Sequence, residues 1–115
     1  MAGESVVVTG PGPIGLLAVA VAKALGASPV ILSGTRDSRL EIGRRLGADR
    51  TVNVHRENLL DVVREMTRYG ADYVVECAGT GTAINEAAHM VSRGGRICLA
   101  AFPHEAVSTL SLIHI

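Results

Sequence analysis

The stretch from Ser5 to Gly15, SVVVTGPGPIG, constrains the chain most, because it runs an apolar β-branched segment directly into glycines spaced Gly-x-Gly-x-x-Gly. Val6, Val7 and Val8 show no polar alternation, which is the pattern of a strand covered on both faces, as in a parallel sheet. Residues 16–25, LLAVAVAKAL, favour helix, so the predicted order is strand, turn, helix. A bare glycine triplet is a weak signal. Between a buried strand and a helix, however, it sets free backbone N–H groups at the positive end of a helix dipole, where an anion belongs and a pyrophosphate fits. Gly10 permits the tight turn, Gly12 removes a side chain where phosphate would approach, and Gly15 lets the helix pack close to the sheet. Pro13, near the first helical turn, loses nothing by lacking an N–H. The competing reading is a tight turn with no ligand.

Beyond that unit the alternation continues without a break. Gly26 is expected to cap the first helix, and an apolar strand resumes over Pro29 to Ser33. A second helix is predicted from Ser38 to Leu46, with Leu40, Ile42 and Leu46 near one face and Gly47 closing it. RTVNV reads as a third strand; Leu59, Val62, Val63 and Met66 then recur at helical spacing in a segment that Gly70 is expected to stop. DYVVECAG gives a fourth strand, residues 82–91 a fourth helix, and GGRICLAAF a fifth strand. Such alternation predicts an α/β fold, a Rossmann-type doubly wound parallel sheet of about five strands with room for the start of a sixth, joined by right-handed crossovers. In the strand order 3-2-1-4-5-6, ligand binds where the order reverses at the first strand, which here is the TGPGPIG turn.

The 115 residues are 48% hydrophobic but only 3% aromatic, so the core must be aliphatic, which suits parallel β/α packing. That length is expected to form one domain across residues 1–115. Eleven basic residues balance eleven acidic ones, leaving no net field for nucleic acid or an anionic membrane, and neither is an expected partner. No apolar run is long enough to span a bilayer, and the first residues lack signal-peptide features, so a cytoplasmic location is expected. Cys77 and Cys98 are not spaced as a metal or redox pair, and His55, His89, His104 and His114 are scattered, so no metal site and no catalytic residue is assigned.

In this fold the second strand commonly ends in an acidic residue, about twenty residues past the glycine turn, that bonds the adenosine ribose of NAD. Here that place holds Gly34, followed by Thr35 and Arg36. A small residue, a hydroxyl and a guanidinium make a pocket for the 2′-phosphate of NADP, because arginine offers phosphate a planar fork of donors. Asp37 argues the other way: if the strand ends later, its carboxylate takes the ribose role and the cofactor is NAD. A third reading leaves Arg36 and Arg39 as solvated charges at a helix start, paired with Asp37 and Glu41.

Four segments in order, GESVVVTGPGPIGLLAVAVAKALGAS, RLEIGRRLGAD, GADYVVECAG and RGGRICLAAF, together resemble the cofactor domain of the medium-chain, zinc-containing alcohol and polyol dehydrogenases, nearest the sorbitol and threonine dehydrogenase branch. The resemblance covers nearly the whole chain. It implies that Gly10, Gly12, Pro13, Ile14 and Gly15 line the pyrophosphate, that Gly34, Thr35, Arg36 and Arg39 face the adenosine, and that Cys77 and Ala78 form the wall beside it. It further implies that Ala100, Ala101 and Phe102 lie near the nicotinamide. NADP-dependent relatives carry Gly-Ser-Arg where this chain has GTR, which favours NADP.

The resemblance also implies what the chain does not contain. An N-terminal catalytic domain in such enzymes holds the zinc that polarises the alcohol or carbonyl oxygen. The chain is therefore expected to be a fragment that binds nucleotide but turns over nothing alone. The terminal LSLIHI reads either as the start of the next segment or as a foreign tail. Relatives usually pair through this domain, which leaves a homo-oligomer open.

Other functions fare worse. A short-chain reductase needs a Tyr-x-x-x-Lys pair, but Lys23, the only lysine, stands far from Tyr69 and Tyr73. A methyltransferase of this layout normally needs an acidic residue where Gly34 stands. The runner-up is a non-catalytic module that senses NADP or NAD for a partner, since fold alone does not fix function.

Overall fold

The computed structural model describes residues 2–100. Strands and helices alternate as β1 (Val6–Thr9), α1 (Pro13–Ala24), β2 (Val30–Gly34), α2 (Asp37–Leu46), β3 (Arg50–Asn53), α3 (Leu59–Met66), β4 (Ala71–Glu76), α4 (Gly81–Met90) and β5 (Val91–Leu99). All neighbouring strands are parallel, in the order β3-β2-β1-β4-β5. This is the doubly wound order, with β1 between β2 and β4 and the reversal at its C-terminal end. Among the described residues no helix is long and apolar enough to cross a membrane.

Successive strand residues point to opposite faces, so the valine run feeds two cores at once. Val7, with Ile31, Val52 and Val74, packs under α3 and α4 through Leu59, Val62, Val63, Ala87 and Met90. Val6 and Val8, with Val30 and Leu32, pack under α1 and α2 through Val19, Ala22 and Leu40. Each such aliphatic side chain, taken fully out of water, contributes about 1.5–3 kcal/mol. This explains why Val6, Val7 and Val8 of β1 and Val30, Ile31 and Leu32 of β2 carry no polar alternation.

Two boundaries, the end of α3 and the start of β5, differ from the sequence expectation by several residues. The third helix stops at Met66, not at Gly70, because the N–H and hydroxyl of Thr67 both return to the carbonyl of Val63. Gly70 instead leads into β4 with φ 98°, where a Cβ would lie 2.8 Å from the carbonyl oxygen of Met90. β5 begins directly after α4, at Val91, earlier than the GGRICLAAF segment suggests. Its register with β4 slips between Ala71, which pairs with Val91, and Tyr73, which pairs with Arg96, so the Ser92–Gly95 segment bulges from the ladder.

The second helix also turns a different face to the sheet. Leu40 and Gly43 are buried, whereas Ile42 and Leu46 are 46% and 41% exposed. A Cβ on Gly43 would stand 2.1 Å from the Cδ2 of Leu32, so the absence of a side chain there is what brings α2 onto β2.

Candidate functional site

The C-terminal ends of the strands meet at the turn between β1 and α1. Gly10 has φ 96°, donates its N–H to the carbonyl of Ser33 at 3.0 Å, and would place a Cβ 3.0 Å from the nitrogen of Ala78. The turn can take this path only with glycine. Gly15 sits against it, since a Cβ there would lie 1.9 Å from the carbonyl oxygen of Gly10.

Gly12 is different, for a Cβ on it would meet nothing within 4 Å. It is the N-cap of α1, no side chain caps the helix, and Pro13 occupies the first turn. The first partnered amide is that of Leu16, bonded to the carbonyl of Gly12 at 2.9 Å. The N–H groups of Gly12, Ile14 and Gly15 have no partner among the described residues. Ile14 is 58% exposed at the same end of the helix. Unpartnered donors, a positive helix end and open space in front of a glycine fit a pyrophosphate.

Beside the turn lies a cavity of 370 Å³, walled by Thr9, Gly10 and Pro11 at and after the end of β1, by Ser33, Gly34 and Thr35 at and after the end of β2, by Val54 and Leu59, and by Ala78, Thr80 and Ala83 toward α4. Gly34 shapes it: a Cβ would strike Pro11 Cγ at 2.6 Å, so Pro11 rests directly on the end of β2. Arg36, exposed, is the N-cap of α2, and half-buried Arg39 follows in its first turns. Neither makes an ion pair among the described residues. Asp37 and Glu41 do not pair with them, because Glu41 binds Arg44 and Arg45, and Asp37 binds Arg56.

The Asp37 carboxylate, read from sequence as an alternative ribose ligand, is already engaged. Its Oδ1 accepts from Asn53 Nδ2 at 3.0 Å and from the Arg56 guanidinium, which holds the carboxyl below its ordinary range. Asn53 also reaches the Thr35 carbonyl at 3.4 Å and accepts from the His55 N–H at 3.0 Å. The sequence reading missed Asn53 and Arg56 because neither belongs to a recognisable spacing.

It also missed Glu76, the most buried acidic residue described, with 0% of its surface exposed. Oε1 accepts from the N–H groups of Ala78 at 2.6 Å and Gly79 at 2.8 Å, and Oε2 accepts from the Thr9 hydroxyl. Its own carbonyl takes the N–H of Ala100 at 2.8 Å. A carboxylate in the otherwise apolar run DYVVEC was the available signal, since a buried acid must be satisfied by donors. Next to it, burial pushes the half-buried Cys77 thiol up to about 11, with Glu76 and Cys98 adding to the shift.

Cys77, Ala78 and Ala100 therefore gather where β4 and β5 end, beside the glycine turn. Ala101 and Phe102 lie outside the described residues. So do His104, His114 and the terminal LSLIHI. Among the described residues no three His, Cys, Asp or Glu side chains converge as metal ligands.

Comparison with known proteins gives one consistent result. The sequence profile described as zinc-binding dehydrogenase matches residues 13–115. L-threonine 3-dehydrogenase from Paraburkholderia phymatum is 42% identical over 104 residues, covering 90% of this chain but 30% of that protein. The alcohol dehydrogenase TADH from Thermus sp. ATN1 superposes with a TM-score of 0.81 at 37% identity, over 96% of this chain and 34% of its own. A structure from Sinorhizobium meliloti 1021, described as a zinc-binding dehydrogenase bound to NADP, superposes with a TM-score of 0.86 at 30% identity, over 97% of this chain and 34% of its own. The chain thus spans about a third of the length of the proteins it matches. Profile, relatives and fold agree that it belongs to the zinc-binding dehydrogenase family, as that family's NAD(P)-binding domain.

Proposed function

We propose that this chain binds NADP along the C-terminal edge of its sheet and, within a longer zinc-dependent enzyme, presents the nicotinamide to an alcohol or ketone. The observation that carries the reading is the start of α1: three N–H groups without partners among the described residues, a positive helix end with no side-chain cap and open space at Gly12, all beside the 370 Å³ cavity. The pyrophosphate lies against Gly10, Gly12, Pro13, Ile14 and Gly15. Gly34 and Thr35 border the adenosine, and Arg36 and Arg39, two cations without ion-pair partners among the described residues, take the 2′-phosphate. Cys77 and Ala78 form the facing wall, and Ala100, with Ala101 and Phe102 after it, approaches the nicotinamide.

The bound cofactor supplies hydride transfer, leaving the protein to bind and orient it. The zinc ion belongs to a catalytic domain elsewhere in the longer protein, where it polarises the substrate oxygen. The 115-residue chain alone binds nucleotide without turnover. Calorimetric titration with NADP and with NAD, on the unsubstituted chain and on Arg36→Ala, tests this. The reading expects tighter NADP binding and a loss of roughly tenfold on removing Arg36, the scale of one charge-assisted contact to phosphate. Equal binding of the two cofactors by both proteins refutes the phosphate pocket.

A further inference from the structure

The ends of β2 and β3 carry a second device, made by residues that no sequence motif singles out. We propose that Arg56, with Asn53, determines cofactor selectivity by taking the Asp37 carboxylate out of the ribose pocket and cancelling its charge. This rests on the dinucleotide reading above and deepens it.

Asp37 is the first carboxylate after β2, close to where this fold normally places the group that bonds a ribose diol. Left free there, it would favour the 2′-hydroxyl of NAD and repel a 2′-phosphate. In this chain both contacts to Oδ1 come from the β3 side. Asn53, paired in register with Gly34, reaches across to Asp37 at 3.0 Å and to the Thr35 carbonyl at 3.4 Å. Its own carbonyl oxygen is fixed by the His55 N–H at 3.0 Å, so the amide has one orientation that satisfies all three contacts. Arg56, held by its backbone N–H to the Asn53 carbonyl at 2.9 Å, closes the ion pair with Asp37.

Among the described residues Asp37 is the one carboxylate that pairs with that guanidinium. Glu57, the neighbouring acid, is committed to Arg50 through contacts of 2.9 Å and 2.5 Å. Thr35 is a wall of the 370 Å³ cavity, while Arg56 lines an adjoining 450 Å³ cavity that shares Val54, Leu59 and Glu86 with it. Arg56 thus lines the cavity next to the one proposed for the adenosine, and Asn53 links Asp37 to the Thr35 carbonyl on the wall between them. Arg36 and Arg39 attract the phosphate; Arg56 removes the charge that would oppose it. A site can gain selectivity as much from suppressing a repulsion as from adding an attraction.

The test measures dissociation constants for NADP and NAD on the unsubstituted chain, Arg56→Ala, Asp37→Asn and the double variant, each checked for folding by circular dichroism. Arg56→Ala is expected to lower the NADP-to-NAD affinity ratio roughly tenfold, on the scale of one charge–charge contact at a binding rim. Asp37→Asn in that background is expected to restore the ratio, because no carboxylate then needs cancelling. That rescue is what a merely structural role for Arg56 would not produce. A ratio within about twofold of the unsubstituted chain in Arg56→Ala overturns the inference alone, as does failure of Asp37→Asn to restore it. No binding of either cofactor by the folded, unsubstituted chain overturns the dinucleotide reading and this inference together.

Discussion

Replacing Glu76 by alanine would remove the acceptor on which three donors from two sides of the candidate site converge. The Thr9 hydroxyl comes from the end of β1, and the Ala78 and Gly79 N–H groups come from the turn into α4. Glu76 is fully buried, so water does not take over the lost contacts in the native packing. The hydroxyl can rotate to another acceptor, but the two N–H groups are fixed by the backbone. Leaving each unsatisfied costs about 1–3 kcal/mol. Deleting the buried side chain also opens a void, so a total of roughly 3–5 kcal/mol is expected, comparable to breaking a buried charged pair. Against a domain stability of about 5–15 kcal/mol this is a large fraction. Glu76→Gln keeps the shape and one carbonyl oxygen for the two N–H groups, and its amide can donate to Thr9, so about 1 kcal/mol is expected. Urea unfolding followed by circular dichroism measures both variants. Near-equal stability of Glu76→Ala and the unsubstituted chain, within about 1 kcal/mol, would refute the clamp, as would equal effects of the two substitutions.

Two glycines of the turn should separate folding from binding. Gly12→Ala meets no atom within 4 Å, so its unfolding midpoint should stay near that of the unsubstituted chain while nucleotide affinity falls; Gly15→Ala, with a Cβ 1.9 Å from the Gly10 carbonyl, should lower both. Thermal shift with and without NADP reads the two effects. The cysteines should label in order: Cys98 is exposed, whereas the Cys77 thiol, pushed up to about 11 first by burial, stays protonated at neutral pH. Iodoacetamide mapping at pH 8 should find Cys98 modified first, with Cys77 reacting faster as the pH rises toward its raised value. Modification of Cys77 ahead of Cys98 at pH 8 would contradict its burial.

Much of this molecule can be read from local pattern. Runs such as Val6–Val8 and Val30–Leu32 announce covered strands, and the glycines at 10, 12 and 15 announce the turn, because in each case the cause lies within a few residues. What sequence does not expose is determined by partners far along the chain. The state of Asp37 depends on Arg56 across two strand ends, and the meaning of Glu76 depends on Thr9, which β4 meets only by pairing with β1. Ile42 and Leu46 look like core on helical spacing, yet the helix leans on the sheet at Gly43, where the missing side chain and not an apolar one makes the contact. Likewise, Val91 reads as a helix end, yet it pairs with Ala71 ahead of the bulge in β5.

The strand order also sets when the site can exist during folding. β1, α1 and β2 are consecutive, so the glycine turn and the Gly34 shelf can form from neighbouring chain with little loop to close. The opposite wall, at Ala78 and Thr80, arrives only when β4 slots in beside β1 and Val6 meets Tyr73, the pairing of widest sequence separation in the sheet. Long closures of this kind come late and set the rate. Nucleotide capture therefore reports the docking of β4 against β1, without which the phosphate turn stands with half of the pocket absent.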